Sequence, residues 1–232
     1  MSYLEDPVEA YTRLAPVFPE IANRRRAYLD AVERLIAESI GSAGSLLDIG
    51  AGDGSRARRI AEAAGIGEVT LLEPSPAMKA ELPIRAQELS QVAGTFDAIT
   101  CLWNVLGHVF SASARTEVMR QCGRLLAPGG RLFIDVNHRY NIAHYGLLRT
   151  IPRMLKDLVH PCETNGDVLV RWDVCSTMGH VFTHGEFAAL CEAAGLVIEK
   201  RFVVDYATGQ LRRFSWQGNL LYVIAARPAG QC

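Results

Sequence analysis

The run Leu46-Leu47-Asp48-Ile49-Gly50-Ala51-Gly52-Asp53-Gly54 limits the choice of fold more than any other stretch of this 232-residue chain. Two aliphatics, an acid and a third aliphatic read as a buried strand reaching its end. Three alternating glycines then make a turn that needs positive φ and close backbone approach, both cheap only for glycine. Ser55 to Ala64 follows as a helix, with Ala57, Ile60, Ala61 and Ala64 at helical spacing and Gly65 as its stop. Strand, glycine turn and helix in this order build a nucleotide-type cradle at the carboxyl edge of a parallel sheet.

The neighbours of the turn decide what it holds. Glu73 ends the apolar run Val69-Thr70-Leu71-Leu72 and lies 73 − 52 = 21 positions beyond Gly52. An acid about 20 residues on, at the tip of the second strand, suits a pair of ribose hydroxyls. Nicotinamide dinucleotides and S-adenosylmethionine both offer that ribose. A dinucleotide fingerprint, however, wants its third small residue where Ser55 stands, and here the third glycine comes one place early. Asp48 ahead of the turn would repel a pyrophosphate, whereas it would attract an ammonium group. The pattern favours an amino-acid-bearing nucleoside.

Period changes predict the rest. A helix is expected over 20–40, with an Asp30–Arg34 pair one turn apart. Strands are expected at 46–49, 69–72, 83–86, 97–102 and 131–136, with helices between them. A helix ending near Ala127-Pro128 should turn through Gly129-Gly130 into the fifth strand. Thr183 and Glu186 form a capping box for the last helix, which Gly195 stops, and apolar runs at 196–204 and 219–226 suggest a terminal antiparallel pair.

At these residues the chain resembles the class I S-adenosylmethionine-dependent methyltransferases. The matching stretches are LLDIGAGDG (46–54), LLEPSPAM (71–78), FDAITCLWNVLGHV (96–109), RLLAPGGRLFIDVN (124–137) and FTHGEFAALCEAAGL (182–196), in the family's order. The resemblance implies an α/β, Rossmann-like, seven-stranded and mostly parallel sheet with an antiparallel last strand, helices on both faces and an N-terminal helical cap. It implies a cap at 1–44 and a cofactor-binding domain at 45–232, with a substrate-lid insert at about 138–180. The cofactor implied is S-adenosyl-L-methionine, with S-adenosyl-L-homocysteine as product.

Carried over by position, Gly50, Ala51, Gly52 and Asp53 are the turn whose backbone faces the methionine end of the cofactor, with Asp48 steering its charge. Glu73 takes both ribose hydroxyls, and Pro74, Ser75 and Met78 flank the adenine. The family's acid for the adenine amino group is missing, with Gln87 or Glu88 as substitutes. Leu102, Trp103 and Asn104 border the methionine and the acceptor, Trp103 with an aromatic face for a sulfonium. Tyr11 resembles a lid tyrosine, although Thr12 stands where the family has Asp. His108 matches a histidine of the family's fourth motif. His138 and Tyr140 follow the fifth strand directly, over the carboxyl edge, making His138 the preferred base and Tyr140 a pocket wall.

Residues 139–160 carry Arg139, Arg149, Arg153 and Lys156 against Asp157, interleaved with aliphatics. They suggest a basic amphipathic cap over a small anionic acceptor rather than a membrane or partner helix. A net charge of −1 gives no general attraction for nucleic acid, and Asn104-Val105-Leu106-Gly107 lacks the Pro-Pro-aromatic motif of base methylation. No stretch approaches ~20 uninterrupted apolar residues, the start at Met1–Glu9 lacks a secretion pattern, and no metal site is recognisable, so a cytoplasmic monomer or homodimer is expected. Cys101, Cys122, Cys162, Cys175, Cys191 and Cys232 show no ligand spacing and are expected mostly as buried apolar groups. The reading is methyl transfer to oxygen or nitrogen of a small molecule. The rivals are a protein or peptide methyltransferase, a non-catalytic nucleoside-binding module and a nicotinamide-dependent reductase.

Overall fold

Three helices precede the first strand: α1 (Pro7–Leu14), α2 (Phe18–Asn23) and α3 (Arg26–Ser39). The computed structural model describes residues 5–78 and 82–227, so Cys232 and the first residues of the acidic start lie outside it. The single helix expected over 20–40 is two, broken at Arg24-Arg25 without a glycine or proline, where the Arg25 guanidinium lies 4.4 Å above the Tyr206 ring. The surface ion pairs of α3 are Arg26–Asp30 at 2.9 Å and Arg34–Glu38 at 4.0 Å, in place of the Asp30–Arg34 pair.

β1 (Ser45–Ile49), α4 (Ser55–Ala64) and β2 (Glu68–Leu72) realise the strand–turn–helix motif, with Gly65 left-handed as the stop of α4. Next come β3 (Phe96–Cys101), α5 (Ala112–Leu125) and β4 (Leu126–Val136). The expected strand at 83–86 is absent. Only an isolated bridge joins Leu82 to Leu72, because Pro83 has no N–H to extend the ladder and the chain turns into a 3₁₀ segment at Ala86–Gln91. Helix α5 ends two residues earlier than expected, and Pro128-Gly129-Gly130 forms an irregularity inside the β3–β4 pairing.

After β4 the chain forms α6 (Ile142–Tyr145), α7 (Leu147–Val159), a hairpin of β5 (Asp167–Arg171) and β6 (Ser176–His180), and α8 (His184–Ala193). It closes with β7 (Leu196–Val204), β8 (Leu211–Arg212) and β9 (Asn219–Ala226). The main sheet has seven strands in the order β2-β1-β3-β4-β9-β7-β8. β2, β1, β3 and β4 are parallel, and β9 runs antiparallel to both β4 and β7. The mostly parallel sheet with an antiparallel last strand is therefore present.

Strand alternation splits the core into two layers. Leu47, Ile49, Ile99, Ile134 and Tyr222 face α5 and α8, whereas Leu46, Leu71, Ala98, Phe133 and Leu221 face α3 and α4. Buried on both faces, the central strands read as near-continuous apolar runs, as a parallel sheet covered by helices requires. Cys101, Cys122, Cys175 and Cys191 are buried and Cys162 is exposed.

Candidate active site

The glycine turn is organised by two acceptors at the tip of β2. The Leu72 carbonyl accepts from the amides of both Gly50 and Ala51, at 2.8 and 2.9 Å. The Glu73 carboxylate accepts from the amide of Gly52 at 3.0 Å through Oε2 and from that of Ser75 at 2.9 Å through Oε1. Each carboxylate oxygen keeps acceptor capacity beyond its one backbone donor. Burial raises the Glu73 carboxyl above its ordinary pKa, and the two amides only partly offset it. At Gly50, φ is +72° and a Cβ would meet Val105 Cγ2 at 2.6 Å, so both backbone shape and space demand glycine.

Above this turn a cavity of about 370 Å³ opens, large enough for a small ligand. Asp48, Gly50, Ala51, Gly52, Asp53 and Glu73 form its floor. Pro74, Met78 and Gln87 line one end, and Leu102, Trp103, His108 and Tyr11 the other. Buried Asp48 accepts from Thr100 Oγ1 at 2.7 Å. Burial pushes its carboxyl up to about 6 against the pull of the Thr100 hydrogen bond and the Arg56 charge.

Three expected contacts stand behind the wall. Ser75 is buried and meets Thr12 Oγ1 at 2.9 Å. With the Thr12 proton committed to the Val8 carbonyl, the Ser75 hydroxyl donates and ties α1 to the β2 tip. Glu88 accepts from the Arg85 amide, leaving Gln87 as the one of the pair on the cavity. Asn104 locks the loop after β3: its side-chain amide donates to the His180 carbonyl and accepts from the Asn137 amide.

His138 and Tyr140 are corrected by the structure. Neither lines this cavity. His138 is 3% exposed, its amide is held by Asn219 Oδ1, and burial pushes its imidazole down to about 4. Tyr140 donates to Asp157 and lines a separate shallow cleft with Arg139 and Glu186. The extended path continues past β4, with Phe182 donating to the Asn137 carbonyl and Arg139 to the Phe182 carbonyl. That path carries both side chains away from the cofactor floor. Proximity to a strand end did not reveal which way the alternation points.

His108 is inside the cavity, with its tautomer fixed by its partners. Nδ1 lies 3.1 Å from the Met178 carbonyl, which can only accept, so Nδ1 carries the proton. Nε2 is then an acceptor and takes the Tyr11 hydroxyl at 3.1 Å. Burial lowers the imidazole pKa below the ordinary histidine value. Tyr11 also packs edge-on against His108 and Trp172, and Phe18 packs against Trp103.

Three contributors escape the sequence patterns. Asp135 on β4 is buried, accepts from Tyr28 Oη at 2.6 Å and from the Trp103 amide, and so holds Trp103 and Asn104 at φ +58° and +63°. Phe18 adds an aromatic wall. Arg56 lines the cavity, with Nε on buried Glu33 at 3.1 Å and Nη2 buried without a hydrogen-bond partner among the described residues. Its signal, a second arginine at position 59 on the same acid, is invisible until α3 and α4 pack. No residue of 138–180 lines the cavity. Its wall comes from α1 and α2, with the β5–β6 hairpin behind them bridging Glu5 to Thr177.

Residues 21–201 match the methyltransferase-domain family. The chain belongs to that family. Among its curated relatives, the ubiquinone biosynthesis O-methyltransferase of Xanthomonas oryzae pv. oryzae is 29% identical over 143 residues, 51% of this chain and 57% of that protein. The same-named protein of Pseudomonas paraeruginosa is 34% identical over 152 residues, 55% of this chain and 64% of that one. The matches thus span under two thirds of those relatives' length. An S-adenosylmethionine-dependent methyltransferase of Clostridium acetobutylicum superposes with TM-score 0.62 at 12% identity, covering 91% of this chain and 98% of that one. An S-adenosylmethionine-bound amino pentose methyltransferase of Micromonospora echinaspora superposes with TM-score 0.56 at 19% identity, covering 89% and 96%. The family member described here therefore has the class I methyltransferase fold.

Proposed function

We propose that this methyltransferase-family chain moves a methyl group from S-adenosylmethionine to an oxygen or nitrogen of a small molecule. The observation that carries the reading is the Glu73 carboxylate, tied to the glycine turn through Gly52 and keeping acceptor capacity on both oxygens toward the cavity. Two further groups match the ends of an amino-acid-bearing nucleoside. Asp48 would face the ammonium group, and the unpartnered Nη2 of Arg56 would take the carboxylate. Tyr11, Phe18 and Trp103 give the aromatic wall suited to a sulfonium. When bound, S-adenosylmethionine supplies an electrophilic methyl group on that sulfonium.

The chain's own work is alignment, exclusion of water and, for a protonated acceptor, removal of one proton. We assign the proton to His108 Nε2 by relay: Nε2 already accepts the Tyr11 hydroxyl, so the acceptor's proton passes to Tyr11 Oη as the Tyr11 proton passes to Nε2. The Nδ1–H already donates to the Met178 carbonyl, which supports the imidazolium once it forms. In turnover with a hydroxyl acceptor the rate should rise with pH through a midpoint below about 6.5, because only the neutral imidazole accepts. His108→Ala should abolish that rise and lower kcat by roughly 10²- to 10⁴-fold. An unchanged pH profile in the variant would remove His108 from this role.

The names of the curated relatives and of the sugar enzyme support a small acceptor. Arg26, Arg56, Arg59 and Arg85 on the cavity each pair with an acid, and the remaining Nη2 of Arg56 is assigned to the cofactor, so no arginine among the described lining residues is left to favour an anionic acceptor. Among the described residues no helix is long and apolar enough to cross a membrane.

Calorimetric titration tests the cofactor. S-adenosylhomocysteine should bind in the micromolar range, and 5′-methylthioadenosine, which lacks the amino-acid end, more weakly. NADH should give no heat. Tight NADH binding without either nucleoside would overturn the reading in favour of a reductase.

A further inference from the structure

Helix α7 is mounted the wrong way round for a helix that covers a protein core. At 100° per residue, Leu147, Leu148, Ile151, Met154, Leu155, Leu158 and Val159 fall in one arc roughly 140° wide. Such an arc ordinarily faces inward. Here the opposite, polar side meets the protein: Thr150 is buried, and Asp157 is bound by Arg139 Nη1 at 3.0 Å and by the Tyr140 hydroxyl. The apolar arc faces outward, with Leu148 92%, Leu158 79% and Val159 65% exposed. An apolar surface of this continuity marks an interaction site.

Its charge selects the partner. Arg149 and Lys156 are exposed along one edge of the arc. The helix's single acid, Asp157, is spent inward on Arg139. The face is therefore basic on a chain whose net charge is −1. Near it, Phe214 and Trp216 stack at 5.9 Å, both about half exposed, with the Arg213 guanidinium over Phe214. Their turn touches α6, which leads into α7. Basic residues beside an apolar face, with an exposed tryptophan, are the composition of a helix lying in the headgroup layer of an anionic membrane.

A second copy of the chain fits less well. Thirteen residues at 1.5 Å each give a face about 20 Å long and about 10 Å wide, far below the roughly 800 Å² per partner of a stable interface. An antiparallel twofold pairing would also set the Arg149–Lys156 edge against its own copy.

We propose that α7, with the Phe214–Trp216 turn beside it, docks this protein on an anionic lipid surface by lying in the headgroup plane. The amphipathic pattern of 139–160 predicts a cap over the acceptor, whereas the exposed apolar arc of α7 faces solvent. Both α7 and the Phe214–Trp216 turn lie outside the cavity lining, so lipid docking does not depend on the nature of the reaction.

The test is flotation of the full chain with vesicles of phosphatidylglycerol and phosphatidylcholine against vesicles of phosphatidylcholine alone, with tryptophan emission followed in parallel. The chain should float with the anionic vesicles, shift its emission to shorter wavelength and release in high salt. Leu148→Ser with Leu158→Ser should weaken binding roughly tenfold or more, with an unchanged melting curve because both side chains contact solvent. Arg149→Glu with Lys156→Glu should abolish the preference for anionic vesicles. Failure to float with either vesicle overturns the proposal. So does a dimer in light scattering that the two serine substitutions dissociate, with no vesicle binding.

Discussion

Replacing Glu73 with alanine is expected to weaken S-adenosylhomocysteine binding by roughly 30- to 1000-fold, equivalent to about 2–4 kcal/mol. The loss has two parts. The ribose hydroxyls lose a charged acceptor, and the amides of Gly52 and Ser75 lose the carboxylate that orients the glycine turn. Glu73→Gln separates them, since it keeps an oxygen for one of the amides while removing the charge. It should fall between the parent and the alanine variant. Calorimetry gives the affinities, and circular dichroism checks that the sheet is intact. An alanine variant within about threefold of the parent would mean that Glu73 does not hold the ribose.

The second large effect concerns stability and lies outside the cavity. Arg139 is buried at the junction of the insert and the sheet, where Nη1 binds Asp157 at 3.0 Å, Nη2 binds Glu186 at 2.5 Å and Nε donates to the Val181 carbonyl. Glu186 also meets His180 Nε2 at 2.6 Å and closes the capping box of α8. Removing the guanidinium takes the cationic partner from two partly buried carboxylates, leaving Glu186 to His180 and Asp157 to Tyr140. The usual cost of breaking a buried pair is about 3–5 kcal/mol. The partial exposure of Glu186 and Asp157 places Arg139→Ala near about 3 kcal/mol, a fall in Tm of roughly 6–12 °C.

The pH dependence has a definite sign. Burial alone would raise the Glu186 carboxyl, but the His180 hydrogen bond and the Arg139 charge outweigh it and hold it below the usual carboxylate value. Asp157 is also held low: the Tyr140 and Arg139 hydrogen bonds exceed the burial effect. A carboxyl depressed in the folded state contributes stability above its unfolded value, near pH 4, and loses it as the pH falls through the folded value. Arg139→Ala should flatten that acid limb as well as lower the plateau. Denaturant melts from pH 3 to pH 7 would show both, and a parent-like acid limb in the variant would refute the ionic account.

The sequence determined the parts of this protein that local periodicity and glycine geometry govern. A strand of Leu46, Leu47 and Ile49 ending in alternating glycines admits one kind of turn, and an acid at the next strand tip must lie beside it once β1 and β2 pair in parallel. That fixed the cradle, the parallel sheet and the place of Asp48 and Glu73. The capping box of Thr183 and Glu186 and the antiparallel β7–β9 pair are equally local signals.

Facing and long-range partnership belonged to the tertiary structure. Pro83 removed an expected strand because ladder bonding needs a donor as well as an apolar pattern. The residues after β4 promised a base, but the extended continuation past Val136 sends His138 into the interior. The Met178 carbonyl, 70 positions from His108, fixes which nitrogen of that imidazole is basic. Arg56 became a cavity group only when α3 brought Glu33 against α4. The amphipathic period of α7 was plain in the sequence, yet a period records only that two faces differ. Ion pairing of Asp157 with Arg139 turned the polar face inward and left the apolar one outside.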